Sequence, residues 1–234
     1  MPSSKRYAHA GALEPQPALQ PSPPLWISVS ASKENRAFFE SELLKELKTL
    51  TFDGLTLRAS KSALKFCWNK ELVAELDFQH LAKSGAYVLL GRVFGGPIFE
   101  CAASITPPYR SNLASNACFS FTTSGRQDKK FSQNVYGSID MPKPDAAPAV
   151  SKHIRQALEA YYVPMIAGCI IPSDRTVDDV LYAPTDYAYP AVFVHYAIAC
   201  NPAILRPGQL ELVKAKKHIV KNKAFDLALL SRAG

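Results

Sequence analysis

The 234-residue sequence lacks the short motifs that assign a protein to a reaction. No Gly-x-Ser-x-Gly elbow, Walker-type loop or dinucleotide-binding glycine pattern occurs in it. Its five histidines and five cysteines are scattered, without the His-x-x-x-His or Cys-x-x-Cys spacing that presents two metal ligands from one element. We therefore expect neither a cofactor nor a metal, and the sequence gives no positive indication of catalysis.

The sequence also lacks the features of a membrane-spanning segment and of a secretory signal. Residues 187–205 form a 19-residue stretch without Asp, Glu, Lys or Arg, but Pro190, His195 and Pro202 interrupt it. Such a stretch is typical of a buried core segment rather than of a membrane span. The first residues are basic, but they lead into a proline-rich stretch instead of the apolar region of a secretory signal. The sequence thus predicts no membrane association.

What the sequence does contain is the composition of an ordinary globular protein, with 47% hydrophobic and 20% charged residues. Its length allows a hydrophobic core that needs no disulfide for stability. Four of the five cysteines lie among apolar neighbours, which indicates buried, reduced thiols and a cytoplasmic location. The five are Cys67, Cys101, Cys118, Cys169 and Cys200.

The distribution of proline divides the chain into a tail and a folded domain. Residues 1–24 hold six of the 18 prolines and almost no bulky apolar side chain, so we predict a flexible, disordered tail. Leu25 then begins an alternating, strand-like pattern. We predict a single α+β domain over residues 25–234, with mainly strands and one early helix over 25–147 and mainly helices over 148–234.

Hydrophobic periodicity predicts the first elements of this domain. Phe39, Leu43 and Leu47 recur at helical spacing, which predicts an amphipathic helix from Lys33 to Leu50. The segments that follow alternate apolar and polar residues between turn residues, as the strands of a β-meander do. They cover residues 55–59, 63–68 and 72–78.

Two hairpins are predicted after the meander. The pair Gly95-Gly96 can adopt the positive φ angles of a tight turn, so it is predicted to join a strand over 86–94 to a strand over 97–105. A second pair of alternating segments flanks a charged tip at residues 125–130. It is predicted to form strands over 118–123 and 133–140.

The second half of the sequence is predicted to be helical. Thr176 and Asp179 have the spacing of a capping box, and residues 190–200 favour a helix despite a β-branched run that would suit a strand. The predicted helices run from Pro148 to a kink or end at Pro164, over 176–182, over 190–200 and over 207–231. The order of elements predicts an α+β fold: a mostly antiparallel sheet of meander and hairpins, with helices packed on one face.

Tyrosine is concentrated in one part of the chain, since six of the ten tyrosines fall within 36 residues. Tyrosine gives a large contact area at little entropic cost, although the same side chains would also serve to pack helices together. Together with the polar region from Tyr109 to Lys130, these tyrosines are interpreted as a contact surface. They predict a non-catalytic cytosolic protein, of a bacterial type, that binds an unidentified protein, as accessory, adaptor or toxin-neutralising proteins do. The predicted partner-binding residues are Tyr109, Arg110, Arg126, Lys129, Lys130, Tyr182, Tyr187 and Tyr189.

Two alternatives remain open. The formal net charge is +7, and residues 211–223 hold five lysines against one glutamate. If these lysines line one face of the last helix, they would bind nucleic acid, although a solvated helix surface explains them as well. The third hypothesis is an enzyme with a site in the 106–140 loops, where Cys118 is the candidate nucleophile. The predicted nucleic-acid contacts are Lys214, Lys217, His218 and Lys221.

Overall fold

The structure is a computed structural model that describes residues 33–125, 130–132 and 136–232. The predicted tail over 1–24 and the strand pattern that begins at Leu25 lie outside the described residues. Within the described ranges, no helix is both long and apolar enough to cross a lipid bilayer.

The first helix, α1 (Lys33–Leu47), buries one face in the hydrophobic core and confirms the predicted amphipathic helix. Phe39, Leu43 and Leu47 are at most 1% exposed, because their spacing places them on one face of the helix. Beside this face, Arg36 Nε donates to Glu40 Oε1 at 2.7 Å, one turn along the helix, and the same oxygen accepts from the Tyr87 hydroxyl at 3.0 Å.

A four-stranded meander follows and confirms the predicted strands. The tight turn between β2 and β3 is made by Asn69 and Lys70, both of which have positive φ angles. Each strand pairs antiparallel with the next. The strands are β1 (Thr56–Ala59), β2 (Ala63–Trp68), β3 (Glu71–Leu81) and β4 (Ala86–Val93).

The two faces of the sheet differ in chemistry because side chains alternate along each strand. Leu64 and Leu76 are register partners on the inner face, and both are fully buried beneath the helices. On the outer face, Glu75 lies opposite Arg92, which pairs with it and with Asp77. The predicted α+β fold, an antiparallel sheet with helices on one face, is therefore confirmed.

The prediction that Gly95-Gly96 turns a hairpin into a strand over 97–105 is wrong. These residues form α2 (Pro97–Ile105). Gly96 is the N-cap residue with φ at +86°, and Pro97 occupies the first helical turn, where its missing N–H costs no hydrogen bond. The positive φ angle expected of the glycine pair is present, but it starts a helix instead of closing a hairpin.

The second predicted hairpin is also wrong. Its two segments form β5 (Phe119–Thr122) and β6 (Ile139–Asp140), and both pair antiparallel with β4. Two strands that are antiparallel to the same neighbour run in the same direction, so they cannot form a hairpin with each other. They extend one edge of the sheet in two pieces, and Gly125 N donates to Tyr136 O at 2.9 Å within the intervening loop.

The helix predicted from Pro148 is continuous through a π-helical turn. It comprises α3 (Ala147–Ala157), the π turn (Leu158–Tyr162) and α4 (Val163–Gly168). Pro164 therefore does not end the helix. In an α-helix, a proline ring clashes with the carbonyl group four residues earlier and has no N–H to donate to it. The chain departs from α geometry in the wider π turn directly before Pro164, which accommodates the ring.

The next two helices agree with the predicted ranges. They are α5 (Thr176–Tyr182) and α6 (Pro190–Cys200). The capping box at the start of α5 is wrong, because Thr176 lies inside the helix and is not its cap. Its hydroxyl oxygen instead donates to Gly168 O at 3.3 Å and accepts from Ser173 N at 2.9 Å, which joins α5 to the end of α4.

The single last helix predicted over 207–231 is wrong, because the structure divides it into α7 (Gln209–Ala215) and α8 (Lys223–Ser231). Asn222 starts α8, and its side-chain oxygen accepts from Phe225 N at 3.1 Å. A short polar side chain that bonds the backbone in this way favours a helix start over a helix interior.

All five cysteines are free thiols, but their environments differ. Cys118 and Cys169 are buried, and burial raises the pKa of Cys118 to about 12 and that of Cys169 well above its usual range. Cys67 is buried too, whereas Cys101 is half-buried and Cys200 is exposed. The three buried thiols are protected because a thiolate is the reactive form and it requires solvent access.

We expect an aromatic disulfide reagent to modify Cys200 rapidly and Cys101 more slowly in the native protein. Cys67, Cys118 and Cys169 should react only after denaturation, because their buried positions keep the reagent from reaching the sulfur. Peptide mapping of the modified protein by mass spectrometry identifies the sites. Fast native modification of Cys118 would contradict its placement in the core.

Candidate functional site

An exposed cluster of tyrosines and cations lies where the π turn meets α5. The Lys130 ammonium is 3.5 Å from the centre of the Tyr161 ring and 5.7 Å from that of Tyr182. The Arg175 guanidinium carbon is 5.1 Å from the centre of the Tyr161 ring. Cations at these distances are attracted to the negative face of an aromatic ring.

The π turn accounts for the position of Tyr161. Tyr162 is 1% exposed and stacks on Phe121 of β5 with 5.5 Å between ring centres. Tyr161 is next to it in sequence and only half-buried, with its ring edge-on to that of Tyr162 at 5.0 Å. One tyrosine thus anchors the turn to the sheet, and its neighbour is held at the surface.

Arg175 is fixed by a pair of hydrogen bonds to the first turn of α5. Its Nε donates to Asp179 Oδ2 at 3.0 Å, and its Nη2 donates to Asp179 Oδ1 at 3.2 Å. Burial opposes the charge of Arg175, but the hydrogen bonds and charge of Asp179 outweigh it and raise the pKa of the guanidinium. The cation over Tyr161 is therefore held in a single orientation.

Two further residues extend the cluster around the C-terminal end of α5. The Tyr182 side chain is 79% exposed, which is unusual for an aromatic residue of this size. Lys216 is exposed, and its ammonium donates to the Leu181 carbonyl, where the helix dipole favours a cation. We call the group of Lys130, Tyr161, Arg175, Tyr182 and Lys216 the tyrosine–cation surface.

An open cavity of about 410 Å³ adjoins this surface along the outer side of α3 and the π turn. Its walls are mostly hydrocarbon, from alanine side chains and the Tyr161 ring. His153 Nε2 lies 3.1 Å from Phe131 O, which holds the imidazole at one side of the cavity. Of the residues that the structure describes, the cavity is lined by Lys130, His153, Gln156, Ala157, Ala160 and Tyr161.

The structure brings two of the predicted partner-binding residues together, Lys130 and Tyr182, and it corrects a third. Tyr187 is 2% exposed and packs between Phe119 and Phe193 at 4.8 and 4.7 Å between ring centres. It is a core residue, so its prediction as a contact residue is wrong. Of the remaining predicted contacts, Arg126 and Lys129 lie outside the described residues.

Tyr109 and Tyr189 lie together in a different region, next to α8. Their ring centres are 5.7 Å apart, and the Tyr109 hydroxyl donates to Asp226 Oδ1 at 2.6 Å. Arg110 is exposed, and its carbonyl accepts from the Lys221 ammonium at 3.2 Å. This arrangement attaches the loop after α2 to the C-terminal helix and is distinct from the tyrosine–cation surface.

The predicted nucleic-acid face does not form, because its four residues do not lie on one helix. Lys214 is in α7 and pairs with Glu211 at 2.9 Å. Lys221 precedes α8, and its ammonium donates to Asn112 Oδ1 at 2.8 Å. Lys217 and His218 lie between the two helices and are exposed, with no polar contact in the described part of the chain.

The loop that follows α2 forms one wall of an open groove of about 450 Å³. Cys118 lies at its base and donates to Val93 O at 3.4 Å. Burial raises the pKa of this thiol, which makes Cys118 itself a poor nucleophile near neutral pH. Within the described residues, no group of three or more His, Cys, Asp or Glu side chains is placed to hold a metal ion.

Sequence reasoning missed Tyr161, Arg175 and Lys216 as members of the surface. The Arg175–Asp179 spacing of four residues is a detectable sign of a helical ion pair, but it does not indicate which ring the arginine covers. No local sequence pattern indicates that Lys216 lies at the C-terminal end of α5. No protein-family model, curated protein or solved structure matches the chain, so a functional proposal has to rest on the geometry of the surface.

Proposed function

We propose that this protein is a non-catalytic cytosolic binding module that contacts an acidic segment of another protein through the tyrosine–cation surface. The observation that carries the proposal is the placement of Lys130 and Arg175 over one tyrosine ring beside the exposed Tyr182. Interfaces are enriched in tyrosine and arginine, because these side chains combine apolar area with polar groups.

The charge of the surface favours an acidic partner. Lys130, Arg175 and Lys216 contribute three cations, and Asp179 is a carboxylate already bonded within the cluster. The chain as a whole also carries a formal charge of +7, which would attract an acidic partner during encounter. Arg175 is fixed before binding, so less conformational entropy is lost when a partner carboxylate approaches.

The same geometry gives less support to single-stranded nucleic acid. Binding of that kind uses open aromatic rings on which successive bases stack. Two cations already lie over Tyr161, so Tyr182 is the ring of this surface that extends furthest into solvent. One exposed ring suits a protein contact better than a track for several bases.

The test is the binding of a fluorescein-labelled peptide of alternating glutamate and serine, measured by fluorescence anisotropy at low ionic strength. We expect Lys130→Glu to weaken binding about tenfold and Tyr182→Ala about fivefold, because each removes part of the contact area and the first reverses a charge. Both side chains are exposed, so the circular dichroism spectrum and urea midpoint should stay unchanged.

Lys83→Glu is the matched control, because it makes the same charge change at an exposed position in the β3–β4 turn. It should weaken binding much less than Lys130→Glu does. Equal effects of the two substitutions would show that net charge alone attracts the peptide, and the proposed surface would be rejected. Tighter binding of a labelled single-stranded oligonucleotide than of the peptide would favour the nucleic-acid alternative.

A further inference from the structure

We propose that the cavity of about 410 Å³ beside the tyrosine–cation surface accepts an aromatic side chain of the acidic partner segment. This inference rests on the proposed function and names what the partner must contain. The recognised chemistry is an aromatic ring flanked by carboxylates, with the ring in the cavity and the carboxylates over Lys130 and Arg175.

The composition of the cavity walls argues for a ring rather than for a charged side chain. Ala157 and Ala160 are small, so they leave a hydrocarbon-lined space between α3 and the Tyr161 ring. A carboxylate placed there would lose its hydration against apolar walls, whereas a ring gains free energy from the same desolvation. The cavity has the volume of a small-ligand pocket and is large enough for a ring and part of its backbone.

The Lys130 ammonium at the edge of the cavity adds specificity. Lys130 lines the cavity and lies 3.5 Å from the Tyr161 ring centre, so a second ring that enters beside Tyr161 comes within reach of the same cation. An aliphatic side chain would fill the space without this cation–π attraction. The cavity and the charges are contiguous, because Lys130 and Tyr161 belong to both.

The test compares glutamate–serine peptides that carry tryptophan, leucine or alanine at the central position, again by fluorescence anisotropy. We expect the tryptophan peptide to bind about tenfold more tightly than the alanine peptide, with leucine between them. Gln156→Trp should remove this advantage by filling the cavity from an exposed position of α3. Ala149→Trp, which lies on the same helix but outside the cavity lining, should preserve it.

Ala160→Leu is a second filling variant from the π turn, in case Gln156→Trp does not fold. Equal affinities of the three peptides for the wild type, or an unchanged tryptophan advantage in a folded filling variant, would overturn this inference. The proposed function would still stand if Lys130→Glu weakened all three peptides. Binding of none of them would overturn both.

Discussion

Replacement of Asp226 by alanine is expected to lower the free energy of unfolding by about 3 kcal/mol, since it removes a buried carboxylate that accepts three hydrogen bonds. Asp226 is completely buried. Its Oδ1 accepts from the Tyr109 hydroxyl at 2.6 Å, and its Oδ2 accepts from the backbone N–H groups of Lys221 and Asn222, both at 2.8 Å.

The size of the effect reflects the number of segments that the carboxylate connects. The two backbone donors belong to the turn that starts α8, and the tyrosine belongs to the loop after α2, more than 100 residues away in sequence. The substitution therefore affects both the start of α8 and its attachment.

Tyr109→Phe is the matched control, because it removes one of the three hydrogen bonds and keeps the ring in contact with Tyr189. It should lower the free energy of unfolding by about 1 kcal/mol. Urea unfolding, followed by tryptophan fluorescence and circular dichroism, measures both variants. A loss below about 1 kcal/mol for Asp226→Ala would mean that water replaces the carboxylate at little cost.

The elements that the sequence predicts correctly are those whose residues carry a local periodic signal. The helical spacing of Phe39, Leu43 and Leu47 predicts α1, and alternation of apolar and polar residues between turn residues predicts the meander. A first-turn proline and a following Asn-Pro pair correctly favour a helix over residues 190–200. In each case the signal and the structure involve the same short segment.

The errors arise where a local signal is compatible with two structures. Gly95-Gly96 suits a hairpin turn and also the start of a helix, and the apolar residues over 97–105 fit either outcome until packing is known. In the fold the segment is a helix whose buried residue is Ile98, 1% exposed. The prediction of one last helix is wrong for a similar reason. Hydrophobic periodicity predicts that the helix continues through residue 222, but Asn222 caps a new helix there.

The candidate site was the least predictable part of the molecule, because it is assembled from distant segments. Lys130, Tyr161, Arg175 and Lys216 come from four separate stretches of the chain. The sequence indicates that tyrosines and cations are present, but only the packing of the π turn against β5 shows which of them meet. Tyr187 demonstrates the converse, since it belongs to the same tyrosine-rich stretch but lies in the core.

The packing of the π turn against β5 depends on the absence of a side chain at Gly91. Gly91 is the register partner of Phe121, whose ring lies across it. A Cβ atom at position 91 would be 2.1 Å from Phe121 Cε1, well inside van der Waals contact. Phe121 in turn stacks on Tyr162 at 5.5 Å with an angle of 12° between ring planes. Gly91 therefore makes room for the ring that connects the sheet to the π turn.

We expect Gly91→Ala to lower the free energy of unfolding by about 3 kcal/mol, because overpacking forces the Phe121 ring off Tyr162 or shifts β5. Phe121→Leu alone should cost about 1.5 kcal/mol through lost ring contacts. If the clash is the cause, leucine at position 121 leaves space for the Cβ atom of residue 91. The double variant should then lose less free energy of unfolding than the two single variants lose together, by about 1 kcal/mol or more. Urea unfolding of the wild type, the two single variants and the double variant measures this double-mutant cycle. Strict additivity would show that glycine is required at position 91 for a reason other than the Phe121 ring.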